Sequence, residues 1–264
     1  MQIEIVMKNA SKKFALALSG GGARGIFHAG FLQALDESGL KPAAISGTSM
    51  GAIVGAFYAA GVSPNKMLKA IKTPDIMHIH SWIGFKGGLG SMTVLREQLN
   101  KFIRHESFDA LKIPLTISVS NLNTGKNELL SSGNLIDAVV ASASIPIVFM
   151  PVKIGSNYYL DGGLTVNLPA SCLKAENTVV VGLDCNYFKE VDTNFTSFMP
   201  VVERCLHIAV HNTLRDHLDS CDIHVSSPEM EDFGTFDFDQ ANKIFEIGYQ
   251  AADQYIPKIK DAID

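Results

Sequence analysis

The chain has 264 residues, 47% of them hydrophobic and 19% charged, which is enough apolar material for one large folded domain. That balance excludes a disordered chain, a collagen-like repeat and a disulfide-stapled miniature scaffold. Lys and Arg number 22 against 27 Asp and Glu, a net charge of −5, so no general field attracts nucleic acid or anionic lipid, and no nucleic-acid partner is expected.

The opening residues, MQIEIVMKNASKK, lack a basic start followed by an apolar stretch and a small-residue cleavage site. They read as a strand rather than a signal peptide. Phe14 to Leu18 is a compact apolar run, followed at once by Ser19-Gly20-Gly21-Gly22-Ala23-Arg24-Gly25. From Ile26 to Glu37 apolar residues recur at helical spacing, with Gly39 as a stop. A second short strand over Ala43 to Ser46 runs into GTSMG, and Met50 to Ala60 is a helix ending at Gly61. Ser63 and Pro64 fit an N-cap and first helical position, opening a helix to about Lys72. This βαβα order implies a parallel sheet with helices on both faces. No residue between Pro42 and Asn65 is charged, and Gly47, Gly51 and Gly55 have the spacing of paired membrane helices. The apolar helix from Met50 is only about half the roughly 20 residues a span requires. A helix buried inside a soluble domain is therefore expected.

Thr73 to Ser91 mixes Pro74 and four glycines with Trp82, Ile83 and Phe85, so it reads as a lid, an interfacial contact or a piece of the core. Met92 to Arg104 is helical. Pro114–Ser120 and Asn127–Leu130 are strands joined by the turn residues Asn123-Thr124-Gly125. Leu135 to Ala143 is a helix stopping before Pro146. Tyr158–Leu160 is a strand running into Asp161-Gly162-Gly163, and Thr178–Leu183 is apolar throughout, as at a sheet centre. Phe198–Leu218 and Phe238–Ile256 are long closing helices. With neither internal repeat nor linker, residues 1–264 read as one domain. Cys172, Cys185, Cys205 and Cys221 form no CxxC pair or zinc-finger spacing and read as free thiols in a reducing, cytoplasmic setting.

Gly47-Thr48-Ser49-Met50-Gly51 matches G-x-S-x-G, and it lies between a strand and a helix, the setting of a nucleophile elbow. The helix N-terminus behind Ser49 favours negative charge developing there. The Gly20–Gly25 loop leaves backbone amides unobstructed at a second helix start, a ready site for an oxyanion. Gly20, Gly22 and Gly25 also satisfy the dinucleotide pattern GxGxxG. The ribose-binding acid that pattern needs at the end of the second strand is missing. Asp161-Gly162-Gly163 puts a carboxylate at a strand end; alone, it would be a plain turn.

In order and spacing, GGGARG, GTSMG and DGG resemble the three signature blocks of the patatin-like phospholipase family. ASASIPIVFMPV and the Asn167–Pro169 stretch are similar to its connecting segments. The resemblance covers about 14–185 and implies a three-layer αβα fold with a mainly parallel central sheet. It also implies acyl hydrolysis by a Ser–Asp dyad with no catalytic histidine, metal or cofactor. On it, Ser49 is the nucleophile and Asp161 the base. The amides of Gly20, Gly21 and Gly22 form the oxyanion hole, and Arg24, Gly25, Gly47, Gly51 and Gly162 support the site. A carboxylate is a poor base for an alcohol, so this chemistry needs burial to raise Asp161.

The implied substrate is a phospholipid or lysophospholipid ester. An esterase, thioesterase or acyltransferase on other acyl groups, and a silent regulatory protein of the same fold, are the alternatives. Transient peripheral membrane contact through Trp82, Ile83 and Phe85 is a further expectation. Lys66, Lys69 and Lys72 read as a solvated face. His207, His211 and Arg215 share a helical face and also read as solvated. His28 is expected to pack near the glycine loop, and HIAVH lacks the glutamate of HExxH. Oligomeric state is left open.

Overall fold

Strand β1 (Lys13–Leu18) shows why the sheet is apolar on both sides: Phe14, Leu16 and Leu18 face one layer, Ala15 and Ala17 the other. In the computed structural model, residues 12–73, 89–191 and 195–264 are described. After β1 come α1 (Ile26–Glu37), β2 (Ile45–Thr48), α2 (Met50–Ala59), α3 (Pro64–Ile71) and α4 (Leu89–Phe102). The hairpin β3 (Leu115–Asn121) and β4 (Lys126–Leu130) precedes α5 (Leu135–Ser142). The remaining elements are β5 (Val152–Ile154), β6 (Asn157–Asp161), β7 (Thr178–Leu183), α6 (Phe198–Leu218), β8 (Ile223–Val225) and α7 (Ala241–Ile263).

The sheet runs β5-β6-β3-β2-β1-β7-β8, with β4 also pairing β3. Its centre is parallel, through β3–β2, β2–β1, β1–β7 and β7–β8. The pairs made by β4, β5 and β6 are antiparallel. The sheet is thus mixed around a parallel centre, with helices on both sides. One layer is a continuous core in which Phe27 and Phe31 of α1, Phe57 of α2, Val139 of α5 and Ile244 of α7 pack on Leu16, Leu18 and Val181. The other is thinner: Ala15, Ala17 and Val180 are covered by Leu168, Ala170, Leu173 and Leu214.

The second strand covers Ile45–Thr48 rather than Ala43–Ser46, so it ends directly against Ser49. Register then brings two distant residues together. Thr48 of β2 pairs with Ser118 of β3, and Asp161 of β6 pairs with Val119 of β3. Both partners lie on the edge of β3 opposite β4, since β4 pairs Ile117 through Asn121 from the other side. β2 runs parallel to β3 and β6 antiparallel, so their C-terminal ends meet head to head on one edge. The three-residue strands β5 and β8 are too short to give a periodic signal. Trp82, Ile83 and Phe85 lie outside the described residues. Among those described, no helix is long and apolar enough to cross a membrane. Lys66, Lys69 and Lys72 are exposed, as expected.

Helices α1 and α7 cross in close contact. A Cβ built at Gly30 would lie 1.9 Å from the Phe245 carbonyl oxygen, and one at Gly248 2.0 Å from that of Phe27. Alanine is intrinsically better in a helix than glycine by about 1 kcal/mol, but backbone cannot yield as a flexible side chain can. Gly30→Ala is therefore expected to destabilise the fold by about 1–3 kcal/mol in urea denaturation. A stabilised variant would contradict this crossing.

Candidate active site

Ser49 sits where β2 stops and α2 starts, with φ 53° and ψ −121°, a region side chains rarely adopt. The turn fits only because its flanking glycines lack side chains. A Cβ at Gly47 would fall 2.5 Å from the Gly51 carbonyl oxygen, and one at Gly51 2.3 Å from that of Leu18. The Ser49 side chain makes no capping bond to α2, leaving its hydroxyl at the positive end of the helix. Its N–H donates to Ser142 Oγ at 2.9 Å.

Asp161 ends β6 and opens a 3-10 turn over Gly162–Leu164. Its N–H donates to the Ser144 carbonyl at 2.9 Å, and its own carbonyl accepts from Ser120 Oγ at 2.8 Å. Gly162 lies against β3, where a Cβ would be 2.3 Å from the Ser118 carbonyl oxygen. Asp161 is 7% exposed, and its carboxyl accepts the Gly163 N–H at 2.8 Å. Burial pushes it up to about 6, opposed by the neighbouring Ser49 side chain and the Gly163 amide. The carboxyl is thus raised into the range useful for proton transfer.

The glycine loop leaves β1 beneath these two residues. Gly20 must be small, because its Cβ would stand 3.0 Å from Ser49 Cβ. Its N–H is engaged by the Asn167 carbonyl at 3.2 Å, so of the three amides expected in the oxyanion hole this one is occupied. The amides of Gly21 and Gly22 meet no acceptor among the described residues. Gly22 has φ +58°, and a Cβ there would reach within 2.2 Å of the Thr235 carbonyl oxygen. At Gly25 a Cβ would collide with Met50 at 2.5 Å, so the loop and the elbow helix touch directly.

Arg24 is buried behind the loop, its Nε donating to the Gly21 carbonyl at 3.4 Å and its Nη2 to His207 Nε2 at 2.9 Å. These bonds tie Arg24 both to the loop backbone and to α6. Burial and the Arg24 charge hold His207 down at about 4, so its Nε2 accepts; Thr235 Oγ1 lies 2.9 Å from the same nitrogen. His28 is wholly buried and also held down at about 4, chiefly by burial; its Nε2–H donates to the Ser19 carbonyl at 2.8 Å. It packs against the loop as expected.

The solvated face expected for His207 and His211 is not what the fold makes of α6. His207 turns inward to Arg24, and His211 stacks on Phe188 with centroids 4.2 Å apart. The exposed side of the helix instead carries Phe198, Val201, Cys205 and Ile208. An i, i+4 pattern fixes which residues share a face, not which way the face points. The residues that sequence reasoning missed are Ser142, Ser144 and Thr235. Ser142 and Ser144 lay in view inside ASASIP, but a hydroxyl's partner is set by tertiary structure.

Two apolar pockets meet at Ser49. One is lined by Ile53, Phe57, Ile71, Leu95, Phe149 and Phe238. The other runs past Asp161 between Ile145 and Val148 on one side and Val202, Leu206 and Val210 of α6 on the other. Arg24 and His207 edge the second. All four cysteines are free thiols.

The fold is thus three-layer α/β, with a strained serine between strand and helix, a buried carboxyl at the opposing strand end and a glycine loop beside them. The chain belongs to the patatin-like phospholipase family, whose sequence profile matches residues 16–173. It is 31% identical over 184 residues to an uncharacterized NTE family protein of Mycobacterium tuberculosis, covering 68% of this chain and 51% of that one. To the lysophospholipase nte1 of Aspergillus fumigatus it is 25% identical over 291 residues, covering 93% of this chain and 18% of that one. The chain thus spans about half the length of the mycobacterial relative and less than a fifth of the fungal one. The crystal structure of VipD from Legionella pneumophila shares the fold, with a TM-score of 0.57 at 16% identity over 94% of this chain and 67% of that one.

A carboxyl raised by burial makes its site destabilising once ionised. Below the unfolded value of 3.8 both states hold the proton and nothing is lost. As pH rises from there through about 6, the folded state resists ionisation and stability falls. Asp161→Asn is therefore expected to be more stable than wild type at pH 7.5, by about 2–3 kcal/mol, and equal to it near pH 4. Urea denaturation at the two pH values checks this; a variant weakened equally at both would contradict it.

Proposed function

We propose that the chain hydrolyses carboxylic esters of lysophospholipids and phospholipids through a covalent acyl-enzyme, with Ser49 as nucleophile and Asp161 as general base. The observation that carries the reading is that Ser49 and the buried Asp161 carboxyl, raised to about 6 by burial, line one pocket where β2 and β6 meet on β3. No histidine has a hydrogen bond to either residue among the described contacts: His28 serves Ser19 and His207 serves Arg24. Ser49 Oγ attacks the ester carbonyl while its proton passes to Asp161, a transfer that must be concerted because a free alkoxide lies far uphill. The oxyanion is held by the Gly21 and Gly22 amides, each contributing about 3–4 kcal/mol to the transition state. Asp161 then returns the proton to the departing alkoxide; in the second half the same carboxylate draws a proton from the attacking water and passes it to Ser49 Oγ as the acid leaves.

The apolar walls around Ser49 support a long acyl chain as the substrate arm, since such pockets bind by removing hydrocarbon from water. Long-chain lipid esters sit in aggregates or bilayers, so the reading includes transient contact with a lipid surface. Activity on lysophosphatidylcholine above that on short p-nitrophenyl esters is expected; the reverse order would favour a general esterase.

The dyad itself is tested by fluorophosphonate labelling. Ser49→Ala is expected to abolish both adduct and turnover, and Asp161→Asn to lower kcat by roughly a thousandfold or more. The base must be ionised to act, so kcat/KM is expected to fall with decreasing pH through an acidic limb near 6. Retained labelling in Ser49→Ala, or a histidine variant as damaging as Asp161→Asn, would refute the dyad.

A further inference from the structure

Two backbone amides determine where the nucleophile and the carboxyl sit, and one short segment receives both. Ser142 is the last residue of α5 and is wholly buried. Its hydroxyl donates to the Ser118 carbonyl at 2.7 Å and accepts the Ser49 N–H at 2.9 Å. Two residues on, the Ser144 carbonyl accepts the Asp161 N–H at 2.9 Å. The Ser144 hydroxyl turns back to the Val140 carbonyl at 2.7 Å, which ties that residue to the end of its own helix. The bend has a local cause. Pro146 disfavours helical geometry at Ile145, so α5 stops and the Ser144 carbonyl is freed for β6.

A serine inside a helix commonly returns its proton to the carbonyl one turn back. Ser142 uses its proton on β3 instead, which aims a lone pair at Ser49. That direction matters because Ser49 holds a backbone conformation unfavourable by about 1–3 kcal/mol, which persists only where the surroundings enforce it.

We propose that Ser142 is a positioning residue: its hydroxyl and the Ser144 carbonyl form a bracket that fixes the separation of Ser49 and Asp161 during acyl transfer. The proposal rests on the Ser49–Asp161 reading given above. Ser142 touches no reacting atom and acts through the Ser49 backbone. If it merely filled space, its loss would lower stability and leave the chemistry of the surviving folded protein unchanged.

The test compares wild type, Ser142→Ala and Ser142→Cys in fluorophosphonate labelling rate, kcat, KM and the pH dependence of kcat/KM, beside urea denaturation of each. Ser142→Ala is expected to label about tenfold more slowly and to lose kcat in proportion, with KM within about twofold of wild type. Its acidic limb is expected to move above that of wild type, because a displaced Ser49 side chain opposes the effect of burial on Asp161 less. Ser142→Cys keeps a weak acceptor in the same place and is expected to fall between the two; it carries the same test should the alanine variant fail to fold. A folded variant with wild-type labelling rate and an unmoved limb overturns the bracket. Absence of labelling in the wild type removes the dyad reading, and the bracket with it.

Discussion

One edge of β3 is shared by two strands that run toward each other and stop, and the site depends on that collision. β2 pairs as far as Ser118 and β6 begins its pairing at Val119, so adjacent residues of one strand set the spacing of Ser49 and Asp161. The parallel strand delivers Ser49 at its C-terminal end, where a helix starts. The antiparallel neighbour delivers its own C-terminal end to the same point, and the carboxyl arrives there without a linker. The mixed sheet is therefore what brings the two residues together: an all-parallel β6 would bring its N-terminal end to Ser49. Register is equally strict, since a one-residue slip would turn the carboxyl to the other face.

Two features at this meeting point oppose stability. Ser49 holds a positive φ, and Asp161 carries an ionisable group into a region where charge is disfavoured. Both are tolerated because the elements around them are firmly committed elsewhere. Leu16, Leu18 and Val181 anchor the sheet in the larger core, and Ser142, Ser144 and Ser120 accept or donate at the backbone of the two residues. The rest of the fold thereby holds the site in a state it would not adopt alone.

Much of this was legible in the sequence because it is local. The glycines around Ser49, the Gly20–Gly25 loop and Asp161-Gly162-Gly163 are dictated by turns and close approaches that leave a written pattern. The apolar runs of β1 and β7 and the helices α1, α2 and α3 follow from periodicity within a few residues of their observed limits. What stayed hidden is set across the fold. That Gly20 gives its amide to Asn167 depends on a loop 147 positions away. The inward turn of His207 depends on Arg24 waiting behind the glycine loop, and the reach of β2 to Thr48 depends on its pairing with Ser118.

The crossing of α1 and α7 gives the motif-free end of the chain a mechanical task. Helix α1 departs from the loop that carries Arg24 and Gly25, and α7 lies against it with backbone meeting backbone at Gly30 and Gly248. Contact that close leaves no slack, so the angle at which the loop is presented to Ser49 is set partly by a helix that the family profile does not reach. Such a buttress constrains shape rather than letters: the crossing demands small residues only at Gly30 and Gly248, while the outer face of the helix meets no such steric limit.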